Sequence, residues 1–83
     1  MRGRAVPDGW KRPYLEAQGR RLRELRLAAG LSREDLAARV GMTRGSIRKL
    51  ESGHHAPRPE TVAQLAAALG VTPDRFTDNL PTG

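Results

Sequence analysis

The chain is predicted to fold as an all-α domain of five short helices. Three observations carry that expectation. Apolar residues recur at helical spacing in one segment after another, with no alternating run of strand type. The later segments open on residues suited to a helix cap or first turn, namely Ser32, Thr43, Pro59 and Thr72. Helix-stopping glycines follow at Gly30, Gly53 and Gly70.

The elements follow in order. Residues 1–13 read as a basic arm, because Pro7, Asp8-Gly9 and Pro13 interrupt any helix. Arg2, Arg4, Lys11 and Arg12 supply its charge, and Trp10 lies near its end. The arm is either a frayed terminus or a segment that reaches a minor groove. The domain proper spans 14–78. Its first helix runs from Tyr14 to Ala29, with Leu15, Leu22, Leu25 and Ala29 on one stripe. Ser32 caps the second helix, Asp35 completes a capping box, and Leu31 with Leu36 forms a hydrophobic staple. Thr43 caps the third, and Met42 with Ile47 repeats the staple. The fourth begins at Pro59 or Glu60 and carries Val62, Leu65, Ala66 and Leu69 inward. A short fifth helix opens at Thr72-Pro73-Asp74 and carries Phe76, and residues 79–83 are a tail.

The chain has 83 residues, enough for one small domain. It lacks cysteine, which excludes disulfides and thiolate metal sites and suits a reducing, cytoplasmic setting. No stretch approaches the ~20 apolar residues of a membrane span. Net charge is +6. Residues 1–58 hold 14 of the 15 Lys/Arg and 6 of the 9 Asp/Glu, so the positive charge sits on the half that contains the second and third helices. That distribution fits a phosphate-facing surface.

The second and third helices meet at a three-residue corner, Gly41-Met42-Thr43. Two helices joined by such a turn make a helix-turn-helix, and its second helix suits the DNA major groove. Ile47 and Leu50 mark that helix's buried side, and Arg44, Arg48 and Lys49 its outer side. Arg44 can fork onto guanine O6 and N7. Gly45 leaves a gap where another base reader would stand, open either to close backbone approach or to no special use. Arg33 and the start of the second helix favour a phosphate, as does the Thr43 hydroxyl.

The segment LRELRLAAGLSREDLAARVGMTRGSIRKLESG, followed by PRPETVAQLAAALGVTPDRF, resembles the Cro/repressor-type (Xre-like) helix-turn-helix family. The resemblance implies a five-helix, lambda-repressor-like fold and a sequence-specific transcriptional regulator, commonly a repressor. It also implies double-stranded DNA as the partner and a homodimer. The family's base readers correspond to Arg44, Gly45, Arg48 and Lys49. Arg33, Thr43, Ser46, His54, His55 and Arg58 are the phosphate candidates, with Arg33 standing where the family commonly has Gln. Family members often pair a helix 1 arginine with a glutamate late in helix 3, here Arg26 and Glu51. Pairing in the family is commonly through the fifth helix and tail, here Phe76 and Leu80, although Phe76 also suits the core.

A second reading makes the chain an antitoxin-like or adaptor module whose main partner is a protein, with Trp10 and Tyr14 as its contact element. No cofactor is expected. The adjacent His54-His55 lacks metal-ligand spacing, and no catalytic constellation is present, so an enzyme is not expected.

Overall fold

The computed structural model describes residues 11–78 and Leu80. Four α-helices follow one another: α1 (Lys11–Ala28), α2 (Arg33–Val40), α3 (Arg44–Glu51) and α4 (Pro59–Leu69). A 3₁₀ turn, Pro73–Phe76, comes after them. No strand occurs among the described residues. α3 packs on α1 and α2, α4 packs on α2, and the 3₁₀ turn closes against α4 and α1.

Local chemistry sets most of the boundaries. The Ser32 hydroxyl accepts from the Asp35 N–H at 2.9 Å, and the Asp35 carboxylate accepts from the Ser32 N–H at 3.1 Å. This reciprocal box satisfies two amides that the first helical turn leaves unpaired. Gly41 then ends α2 at φ +68°, a left-handed conformation that only glycine adopts cheaply. The Thr43 hydroxyl accepts from the Ser46 N–H at 3.1 Å and opens α3 two residues later.

The core is one cluster. Leu22 and Leu25 of α1 meet Leu36 and Ala37 of α2, Ile47 and Leu50 of α3, Leu65, Ala66 and Leu69 of α4, and Phe76. Leu31, Met42 and Val71, each just before a cap, pack at its margin. The two staples, Leu31 with Leu36 and Met42 with Ile47, thus direct the chain's entry into α2 and α3.

Three details depart from expectation. α1 starts at Lys11, three residues early, with Pro13 in its first turn. Proline is harmless there, since the amide it lacks would have had no helical partner. The described end of the expected arm is therefore helical, and Trp10 with the remainder of the arm lies outside the described residues. The buried side of α1 runs through Ala17, Gln18, Gly19, Leu22, Leu25 and Arg26, whereas Ala29 is exposed beyond the helix end.

The expected fifth helix is four residues of 3₁₀. Its closing carbonyls are taken from outside: Arg21 of α1 donates through Nη1 to the Arg75 carbonyl and through Nη2 to the Asp78 carbonyl at 2.6 Å. Phe76 is fully buried in the core, so any pairing surface at this end is made by its neighbours.

Candidate nucleic-acid interface

α3 is sided. Ile47 is 0% and Leu50 4% exposed, Glu51 is buried, and Arg44, Arg48 and Lys49 are exposed. The solvent side of this helix therefore carries three cations and no carboxylate. At about 100° per residue, Gly45 and Lys49 lie about 40° apart at the centre of that side, with Arg48 between Arg44 and Gly45. A Cβ built on Gly45 finds only the Thr43 hydroxyl, at 3.9 Å, and no left-handed φ occurs there. Nothing inside the domain requires glycine at this position. Its effect is to leave bare backbone in the middle of the cationic side.

The hydroxyls at the start of α3 are partly committed. Thr43 donates to the Ser46 hydroxyl oxygen at 3.0 Å while accepting from the Ser46 amide. The Ser46 hydroxyl proton is consequently the better placed of the two to reach an outside acceptor.

Behind α3, one carboxylate ties three elements together. Glu51 accepts from Arg26 Nε at 2.6 Å and Arg26 Nη2 at 3.3 Å, and from Arg33 Nε at 3.0 Å. Arg26 also donates to the Leu31 carbonyl at 2.8 Å, fixing the α1–α2 turn. Arg26 is 5% and Glu51 8% exposed, whereas the Arg33 side chain is 38% exposed. Two guanidiniums on one carboxylate leave a surplus positive charge, and Arg33 is the member that solvent or a ligand can reach. The participation of Arg33 has no signature in the sequence, because Arg33 and Glu51 lie 18 residues apart on different helices.

α3 can sit this close to α1 because of Gly19. A Cβ there would stand 2.3 Å from the Glu51 carbonyl oxygen and 2.7 Å from that of Leu50. A lone glycine inside a helical pattern is the signal that points to such a contact.

The loop after α3 folds back on the helix. His54 N–H donates to the Lys49 carbonyl at 3.1 Å, and the Ser52 hydroxyl donates to the same carbonyl at 3.1 Å. His54 Nδ1 lies 2.8 Å from the Ser52 hydroxyl. His54, His55 and Arg58 are all exposed, and Arg58 is the N-cap residue of α4 without a side-chain cap bond. No group of three or more potential metal ligands occurs among the described residues.

Two capped helices meeting at a glycine corner, the second with a cationic outward side, define a DNA-binding helix-turn-helix domain. The chain belongs to the helix-turn-helix family, whose model matches residues 22–76. It is 45% identical over 49 residues to an uncharacterized HTH-type transcriptional regulator of Methanothermobacter thermautotrophicus, a match covering 59% of this chain and 71% of that one. The crystal structure of the restriction-modification controller protein C.AhdI from Aeromonas hydrophila superposes with a TM-score of 0.72 at 39% identity, covering 75% of this chain and 94% of that one. The P22 c2 repressor, solved in complex with a synthetic operator, gives 0.68 at 26% identity over 74% of this chain and 92% of that one. The chain is thus a DNA-binding transcriptional regulator of the Xre/Cro helix-turn-helix type.

Proposed function

We propose that the protein is a repressor that reads the major groove with α3. The observation that carries this reading is the sidedness of α3, apolar and buried on one flank, cationic and free of carboxylate on the other. Arg44, Arg48 and Lys49 are assigned to base edges, and the bare backbone at Gly45 lets the helix approach closely. Arg33, Thr43, Ser46, His54, His55 and Arg58 are assigned to phosphates, which supply affinity while base contacts supply choice. Arg33 takes this role with its Nη edge, its Nε being engaged by Glu51.

Repression follows from occupancy of an operator, as the likeness to the P22 c2 repressor suggests. The protein acts where chromosomal DNA is accessible, in the cytoplasm, and the reading assigns it no catalysis. A homodimer formed near the 3₁₀ turn and Leu80 would place two copies of α3 about one helical turn of DNA apart.

Selection from a random duplex library tests the reading. A recovered motif with two-fold symmetry is expected. Arg44→Ala should relax choice at one base pair, at about 1–3 kcal/mol, whereas Arg33→Ala should weaken all duplexes alike. Recovery of no motif, or a motif unchanged in Arg44→Ala, would overturn it.

A further inference from the structure

A second group of cations lies outside the matched family segment. α1 begins at Lys11, well before residue 22 where that segment starts. Its first turn presents Lys11 and Arg12, both exposed. With Leu15 they form one wall of a groove whose other wall is Ser52, Gly53 and His54. That second wall continues directly from α3, since His54 N–H bonds the Lys49 carbonyl.

The two walls are held by backbone contact. Gly53 has φ +79°, and a Cβ there would stand 2.9 Å from Glu16 Cα and Glu16 N. Lys11 and Arg12 are therefore carried on a helix that docks against the loop at Leu15 and Glu16. Among the described residues neither is in an ion pair. The carboxylate nearest in sequence among the described residues is the half-buried Glu16, and Glu51 is already engaged by two arginines. Lys11, Arg12 and His54 thus share one groove, whose second wall joins the C-terminal end of α3 through the backbone, and no described carboxylate pairs with either cation.

We propose that this groove is a DNA-backbone contact, in which the first turn of α1 neutralises phosphates flanking the segment read by α3. The inference rests on the DNA reading of α3 and adds to it a contact that the family segment does not contain. Such a contact carries no base information. It sets affinity and its dependence on salt, because each neutralised phosphate releases counterions.

The test uses the full chain and the duplex recovered by selection, with binding measured between about 50 and about 200 mM salt, where each neutralised phosphate contributes about 0.9 to the slope. Three proteins are compared: the parent, Lys11→Ala/Arg12→Ala, and a control of equal charge loss, Arg20→Ala/Arg23→Ala. Arg20 and Arg23 are exposed and lie in neither the groove, α3 nor the 3₁₀ turn. The groove variant is expected to fold, since removing cations from a helix start favours the dipole, and its melting curve checks this.

Its slope of log affinity against log salt should fall by up to about 1.8, so that the parent loses about tenfold more affinity across the range. Its base preference should stay that of the parent, and the control should keep the parent slope. An unchanged slope in the groove variant, while Arg44→Ala still alters base preference, overturns this inference and leaves the α3 reading standing. An equal fall in the control also overturns it, by showing a response to net charge alone. A parent that selects no motif and binds no duplex removes the α3 reading and this inference together.

Discussion

At the scale of single residues, Glu51 and Arg26 form the hub of the domain's polar contacts, each with three hydrogen bonds. Glu51 is buried, it receives three bonds from two arginines, and those arginines stand on α1 and α2. Removing one partner of a buried ion pair leaves a desolvated charge behind, which costs about 3–5 kcal/mol. Glu51→Ala is therefore expected to lower the melting temperature sharply, and Arg26→Ala nearly as much. Arg33→Ala should cost less, because Arg33 is partly exposed and Arg26 still satisfies the carboxylate. Equal losses at Arg26 and Arg33 in thermal melts would contradict this ranking.

Two glycines make opposite predictions. Gly19→Ala forces a methyl group into the α3 backbone and should destabilise by about 1–3 kcal/mol despite the better helix propensity of alanine. Gly45→Ala meets only the Thr43 hydroxyl, at ordinary contact distance, and should stabilise by up to about 1 kcal/mol. If the backbone at Gly45 approaches DNA, the same variant should bind more weakly while melting higher. Denaturant titration and a binding isotherm on the one protein separate the two effects.

At the scale of elements, α2 and α3 have eight residues each, too short to persist alone in water. Caps and tertiary burial hold them. The cap of α2 also makes its stability sensitive to acid. The Ser32 backbone N–H, and after it the Ser32 hydroxyl, hold the Asp35 carboxyl below its ordinary value of 3.8. A carboxyl depressed in the folded state contributes stability above the unfolded value and loses that contribution as pH falls through the folded one. The parent should thus lose more stability than Asp35→Ala on acidification from neutral pH to about pH 2, as read by paired melts. Identical losses would mean that the box contributes nothing. The Thr72 hydroxyl depresses Asp74 in the same way at the 3₁₀ turn.

The clamp of Arg21 on the carbonyls of Arg75 and Asp78 binds the last turn to α1. Arg21→Ala should loosen that turn first, seen as faster amide exchange at Thr77 and Asp78 than in α2 or α3. Both amides donate to the Asp74 carbonyl in the intact turn. A uniform increase across the chain would point to global destabilisation.

At the scale of the whole molecule, the layout separates tasks. The apolar flanks of the four helices and Phe76 share one cluster, which leaves the outward side of α3 unobstructed. No described helix is long and apolar enough to cross a membrane. If the proposed dimer forms near the 3₁₀ turn and Leu80, sedimentation should show a concentration-dependent monomer–dimer equilibrium, and operator duplex should shift it toward the dimer. A strictly monomeric species on a two-fold symmetric site would refute that arrangement.

Local chemistry along the chain determined where α2, α3 and α4 begin and end, because caps, staples and left-handed glycines act within five residues and can be read in order. It determined the inward side of α3 for the same reason, since Ile47 and Leu50 differ sharply in polarity from Arg44, Arg48 and Lys49. Only the tertiary structure decided that Arg33 joins Arg26 on Glu51, that Gly19 admits the α3 backbone, that Arg21 fastens the last turn and that Lys11 and Arg12 stand beside His54. Those contacts join residues 18 to 57 positions apart, and their partners are fixed by how helices pack in space, a distance over which spacing and composition carry no signal.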